Sequence, residues 1–127
     1  MKGLYLVVFI GGALGAMVRE FIMILVPKMS NGFPLDIFIA NVTASFLLGF
    51  ATYHHRKKNI TDEMILLFGV GALGGMSTFS SFAYGAFIEM QKVNGVAISM
   101  LYILSSVMIG FIACGLGLYM SKLNEEK

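Results

Sequence analysis

The sequence predicts an all-α integral membrane protein of four transmembrane helices, the third of them broken near residues 74–78. The 127-residue chain is 57% hydrophobic and only 13% charged, about half the charged fraction that is usual in soluble domains. Its charges cluster between long uncharged runs, and a helix needs about 20 apolar residues to cross a bilayer. Four such runs make residues 1–127 a single domain of the cell membrane: 4–26, 35–53, 64–88 and 96–120.

The first span contains a surface of small residues in the string GGALGAMVRE. Gly11 and Gly15 form a GxxxG pair, which favours close packing against another helix in lipid. The apolar run continues past this string, whereas the apolar region of a signal peptide is only ~7–15 residues long, so we predict a retained helix. Arg19 follows, and it either extends to the interface, pairs with Glu20, or faces a vestibule.

The second and fourth spans carry isolated polar groups. Asn41, in the string IANVTASFLLGF, either hydrogen-bonds a neighbouring helix or presents its amide to a passing ion. Tyr102 and Ser106 share one face of the fourth span, and Gly110 continues this stripe. Hydroxyls at this spacing either line a polar track or bond to their own helix backbone.

The distribution of Lys and Arg predicts that both termini face the cytoplasm, because basic residues in short loops set orientation. The side opposite the termini holds Lys28 and Lys92, and also Arg19 if this residue lies at the far end of the first span. The side with the termini and the middle loop holds six basic residues: Lys2, Arg56, Lys57, Lys58, Lys122 and Lys127.

The third span has the composition of a broken helix. The string GALGGMSTFSSF concentrates glycines and hydroxyls at membrane depth, and each glycine weakens a helix by about 1 kcal/mol relative to alanine. A break there is tolerated only where the freed backbone is buried in protein or lines a watery cavity, and transporters bind ions at such breaks. The sequence therefore predicts an ion-related site, with carbonyls suited to a hard cation and with hydroxyls and N–H groups suited to an anion.

Two phenylalanines follow the predicted break. Phe79 and Phe82 lie three residues apart and so share a helix face. Their positively polarised ring edges are able to line the path of a small anion. The spacing alone favours the simpler interpretation, in which both rings pack in the core or face lipid.

Three strings together resemble the Fluc (CrcB-type) fluoride ion channel family. GGALGAMVRE, IANVTASFLLGF and GGMSTFSSF match the family's first, second and third helix motifs in order. The resemblance implies an antiparallel dual-topology dimer of four-helix subunits with two fluoride pores. It also implies a channel, not an enzyme, that exports cytoplasmic fluoride by passive electrodiffusion and so lowers fluoride toxicity.

The resemblance also implies roles for individual residues. Asn41 donates amide hydrogens to fluoride, Phe79 and Phe82 supply ring edges, and Arg19 lies in the vestibule. The hydroxyls of the pore are those of Ser80, Ser81, Tyr102 and Ser106. A structural sodium ion at the dimer interface is held by the backbone carbonyls of Gly74 and Ser77 from both subunits.

The chain departs from the family pattern at two residues and in its charge bias. Ser81 stands where many relatives have Thr, and Gly85 stands where relatives often have Glu. A dual-topology subunit should have little Lys/Arg bias, so the chain forms either a homodimer or a heterodimer with an oppositely oriented paralogue.

Two other functions remain open from the sequence. A proton-coupled small multidrug exporter has a similar size and topology, but it needs an embedded carboxylate in the first span, and Glu20 lies late in that span. A non-transporting assembly subunit would be favoured by unbroken helicity through residues 74–78.

Overall fold

A computed structural model describes residues 2–125 of the chain, and the side chains of residues 3–124 within it. Lys127, which the orientation prediction counts, therefore lies outside the described residues, as do the ends of the predicted domain 1–127. The described elements are all helical: α1 (Lys2–Leu25), α2 (Leu35–Arg56), α3 (Asp62–Ile65), a π-helical segment (Leu66–Leu73), α4 (Gly74–Met76), α5 (Phe79–Met90) and α6 (Gly95–Glu125).

Four stretches of the described chain are long and apolar enough to cross a membrane: Gly3–Leu25, Leu35–Arg56, Asp62–Met90 and Gly95–Asn124. This confirms the predicted all-α architecture with four spans. The third stretch comprises α3, the π-helical segment, α4 and α5. The fourth runs several residues beyond the predicted end at residue 120, since α6 continues as one helix to Glu125.

Glycines bring α1 into backbone contact with the third span. A Cβ atom on Gly11 would lie 2.2 Å from the carbonyl oxygen of Leu67, and one on Gly15 would lie 1.9 Å from that of Ala72. No side chain fits at such distances, so the two backbones approach each other only because both positions are glycine. The predicted packing role of the GxxxG pair is confirmed.

The second close helix pair is α2 with α6. A Cβ atom on Gly49 would lie 2.1 Å from the carbonyl oxygen of Cys114, and one on Gly117 would lie 2.1 Å from that of Phe46. The Ser121 hydroxyl adds a hydrogen bond of 3.2 Å to the carbonyl of Phe50. The third span links the two pairs, since it contacts α1 and also contacts α2 and α6.

The third span breaks after Met76, as the sequence predicts. Ser77 (φ −76°, ψ 151°) and Thr78 (φ −150°, ψ 117°) are extended. The chain then re-enters a helix at Phe79, with Thr78 as the N-cap. An unbroken helix through residues 74–78 would have favoured a non-transporting subunit, and the structure has a break there instead.

The eight-residue π-helical segment before the break was not predicted. Its wider turns include Gly69 and Gly71, both buried. A Cβ atom on Gly71 would lie 2.9 Å from the carbonyl oxygen of Val8 on α1. π-helical turns are uncommon and often occur at functional sites, and only the three residues of α4 separate this segment from the break.

Candidate functional site

Asn41, on α2, holds the break of the third span in place. Its Oδ1 accepts a hydrogen bond of 2.8 Å from the backbone N–H of Thr78, and its Nδ2 donates one of 3.4 Å to the Thr78 carbonyl. These two bonds replace some of the backbone hydrogen bonds that are lost where the helix is interrupted. An amide has two N–H donors, so Asn41 has one more hydrogen than this pairing uses.

A cluster of three hydroxyls begins α5. The Oγ1 of Thr78 accepts a bond of 3.2 Å from the backbone N–H of Ser81. The same oxygen lies 3.1 Å from the Oγ of Ser80 and 3.2 Å from the Oγ of Ser81. The positive end of the helix dipole favours negative charge here, so the cluster is chemically suited to an anion.

A cavity of about 250 Å³, which we call the middle cavity, lies against the break. No charged side chain is among the described residues that line it, and the buried Oγ of Ser106 has no hydrogen-bond partner among them. The lining therefore offers hydroxyl and amide groups without a fixed charge. It consists of Asn41, Ser45, Ser77, Thr78, Phe79, Phe82, Ser106 and Val107.

Phe82 lines this cavity and is the central ring of three neighbouring rings. Its centroid lies 5.9 Å from that of Phe79 and 5.2 Å from that of Tyr102, with both ring pairs tilted by 42°. Phe79 is largely exposed, whereas Tyr102 is fully buried behind Phe82 and is not among the residues lining the middle cavity. The hydroxyl of Tyr102 is buried and has no partner within the described part of the chain.

A larger cavity of about 690 Å³, which we call the loop vestibule, opens where the loops 26–34 and 91–94 meet. Ser80 and Ser81 line it, so the hydroxyl cluster lies between this vestibule and the middle cavity. Gly85 also lines it, and a Cβ atom on Gly85 would lie 3.2 Å from Cγ of Pro34. A larger residue at position 85 would press on the first loop.

The loop vestibule is lined by two ion pairs, which the sequence analysis missed. Lys28 pairs with Asp36, and Lys92 pairs with Glu89. The carboxylate side chains are only 3% and 4% exposed, whereas both lysines are largely exposed. The spacing of Glu89 and Lys92 is a sequence signal for the second pair, but the first depends on how the loop folds back onto α2.

Arg19 reaches from α1 to the end of the broken helix. Its Nη1 donates a hydrogen bond of 3.1 Å to the carbonyl of Gly75, and its Nη2 lies 3.6 Å from Glu20. The side chain is 23% exposed and is tied both to the third span and to Glu20, and the pair with Glu20 is one of the alternatives that the sequence left open. Arg19 is not among the residues that line the loop vestibule, and its vestibule role stays a prediction.

Gly74 and Ser77 flank the break on its exposed side. The Oγ of Ser77 lies 3.5 Å from the carbonyl oxygen of Gly74, and a Cβ atom on Gly74 would meet nothing within 4 Å. Both residues line a third cavity of about 100 Å³, which we call the inner cavity. Within residues 2–125, no cluster of three His, Cys, Asp or Glu could hold a metal ion, so a cation here would depend on carbonyl oxygens.

The structure thus places most of the predicted site residues around one break, but at three different cavities. Two residues that the sequence analysis gave no role join them, Thr78 and Ser45. A threonine three residues before Ser81 at the start of a helix is the usual pattern of an N-cap, and this signal could have identified Thr78.

Comparisons with known proteins show what the chain is similar to. The family model described as "CrcB-like protein, Camphor Resistance (CrcB)" matches residues 6–118. The chain is 46% identical to "Fluoride-specific ion channel FluC 3" of Yersinia pseudotuberculosis, over 100% of its own length and 95% of that protein's. It is 33% identical to "Fluoride-specific ion channel FluC" of Helicobacter pylori strain P12, over 96% of its own length and 95% of that protein's.

A further relative is longer than this chain. The match to "Fluoride-specific ion channel FluC 2" of Brucella melitensis is 46% identical over 114 residues. It covers 89% of this chain but 42% of that protein.

Proposed function

Because this chain belongs to the CrcB-like family, several of whose members are fluoride-specific ion channels, we infer that it is a fluoride-selective ion channel. It is a multi-pass membrane protein. The observation that carries the function is the middle cavity, where a broken helix surrounds a small space with hydroxyls, an amide and aromatic rings, and where no described lining residue is charged.

The lining of the middle cavity suits a small anion that must lose its water. Fluoride is strongly hydrated, so a pore has to replace the hydrogen bonds of water and yet bind weakly enough to release the ion. Two donors are available: the spare amide hydrogen of Asn41, and the hydroxyl of Ser106, which has no partner within the described part of the chain. The ring edges of Phe79 and Phe82 add weak positive potential without a fixed charge.

Fluoride leaves the cytoplasm passively through such a pore. A negative-inside membrane potential drives an anion outward, and the loss of cytoplasmic fluoride lowers its toxicity. A channel leaves its ion chemically unchanged, so we expect no enzymatic activity from this chain.

We propose an antiparallel dimer with a structural sodium ion held by the carbonyls of Gly74 and Ser77. Carbonyl oxygens are suitable ligands for a hard cation, and the exposed Gly74 has room for a close approach of a second subunit. The large apolar side chains that α1 and α6 expose also require lipid or another chain to cover them.

The partner in this dimer is a second copy or an oppositely oriented paralogue. The Lys/Arg bias of the chain supports the paralogue, and the numbered names of the Yersinia and Brucella relatives suit organisms with more than one such protein. Reconstituting the chain alone separates the two cases, because only a homodimer conducts without a second protein.

Fluoride efflux from proteoliposomes tests the proposed function. Vesicles loaded with fluoride and containing the purified protein should release it when potassium ionophore removes the charge imbalance, and protein-free vesicles should not. Absence of efflux from folded, dimeric protein, both alone and with a paralogue, would refute the channel function.

No observation on the described residues favours the multidrug exporter. A proton-coupled exporter needs an embedded acid in the first span, whereas Glu20 lies late in that span and its carboxylate is 3.6 Å from the Arg19 guanidinium. Resistance to quaternary ammonium dyes in a sensitive bacterial host would be the outcome that supports the exporter instead.

A further inference from the structure

Ser45 lies one helical turn after Asn41 on α2 and has no role in the function described so far. It lines both the middle cavity and the inner cavity, and Ser77 is the other residue that lines both. Ser45 and Ser77 therefore mark the place where the two cavities adjoin. An ion moving from one cavity to the other would pass their hydroxyls.

A glycine of α6 lies beside Ser45, although it is not among the described residues that line either cavity. Tyr102, Ser106 and Gly110 form a stripe on α6 with helical spacing, and the stripe ends in glycine. A Cβ atom on Gly110 would lie 3.5 Å from the Oγ of Ser45. The hydroxyl of Ser45 on α2 thus reaches the position where the polar stripe of α6 has none of its own.

The hydroxyl of Ser45 is free to change partners. It donates a bond of 2.9 Å to the carbonyl of Asn41 in its own helix, and a hydroxyl proton rotates to suit its surroundings. Ser105 makes the same kind of bond to the carbonyl of Tyr102, at 3.3 Å. It is absent from the lining of all three cavities, and so it is a matched control.

We propose that Ser45 is a pore residue, whose hydroxyl hydrogen-bonds fluoride as the ion passes between the middle cavity and the inner cavity. Gly110 leaves the space for it on α6. This inference rests on the proposed function, because it concerns the route that fluoride takes within the same subunit.

The test compares fluoride efflux from proteoliposomes containing single variants, after the native protein has been shown to conduct. Ser45→Ala should conduct about tenfold more slowly, since a hydrogen bond to a charged group is lost. Ser105→Ala, which also removes a back-bonded hydroxyl, should conduct like the native protein. Ser45→Thr keeps the hydroxyl and should retain most of the flux.

A double variant separates a pore role from a structural one. Ser45→Ala with Gly110→Ser returns a hydroxyl to the same space from α6, so it should regain most of the lost flux. The bond from Ser45 to the carbonyl of Asn41 would not be restored, so a merely structural role predicts no recovery.

Native flux through Ser45→Ala, or no recovery in the double variant, would overturn the inference. If Ser45→Ala does not fold, the similarly shaped pair Ser45→Thr and Ser45→Val takes its place, because these two variants differ in the hydroxyl. Ser45→Val should conduct more slowly than Ser45→Thr, and equal flux through the two would equally overturn the inference. A native protein that does not conduct fluoride would instead refute the proposed function itself.

Discussion

Replacing Asn41 with alanine should loosen the break of the third span and strongly reduce fluoride conduction. The variant loses the 2.8 Å bond to the N–H of Thr78 and the 3.4 Å bond to its carbonyl. Thr78 is buried, and an unpaired buried donor costs about 1–3 kcal/mol. We therefore expect a drop of about tenfold or more in efflux, together with a lower melting temperature.

Asn41→Asp separates the two roles of this side chain. One aspartate oxygen still accepts from the N–H of Thr78, so the break should keep its position and the protein should remain dimeric. The other oxygen replaces the Nδ2 that donated to the Thr78 carbonyl, so the melting temperature should fall. The variant has no amide hydrogen for an anion, and its carboxylate adds negative charge to a cavity whose described lining has none. We expect efflux to fall by at least about tenfold because like charges repel in a medium of low dielectric constant.

The assay is fluoride efflux from proteoliposomes, with melting temperature in detergent as the second measurement. Asn124→Ala, at an exposed position near the end of α6, is the matched control and should leave both values unchanged. Native efflux through a folded Asn41→Asp variant would refute the donor role. Native efflux through Asn41→Ala would refute the reasoning about the break as well.

Three further predictions concern packing, the pore and the interface. Gly15→Val should destabilise the protein by about 1–3 kcal/mol, because a Cβ atom there would lie 1.9 Å from the carbonyl oxygen of Ala72. Gly115→Val meets open space and should melt like the native protein, and equal melting of both variants would contradict the packing account. Phe82→Ile removes a ring edge, so fluoride efflux should slow while light scattering still shows a dimer. Undiminished efflux would exclude a pore role for Phe82. Gly74→Ala disturbs no neighbour within the subunit, but it should weaken sodium-dependent dimerisation, which is measured by the rate of subunit exchange. An exchange rate equal to that of the native protein would count against the sodium site.

The sequence was sufficient for the four spans and for the break. Lipid offers no hydrogen bonds, so a run of glycines and hydroxyls in the third span has few structural solutions. The GxxxG pair of α1 was equally readable, because only small residues permit such close backbone contact. These features depend on local composition and on the membrane, and both are visible in one chain.

The sequence was insufficient where the outcome depends on which helices meet. The pair of Arg19 with Glu20 was among the sequence alternatives, but its other partner, the carbonyl of Gly75, lies on another span next to the break. The pair of Lys28 and Asp36 requires the first loop to fold back onto α2. The π-helical segment depends on the register of backbone hydrogen bonds, which no side-chain pattern in residues 66–73 indicates.

The most direct test of the central claim is the reversal potential of the purified protein in a planar bilayer. Fluoride concentrations differ across the membrane, and chloride is equal on both sides. A fluoride-selective pore predicts a current that reverses at the equilibrium potential of fluoride. A current that reverses at the chloride potential, or no current from folded dimers formed with or without a paralogue, would contradict the account.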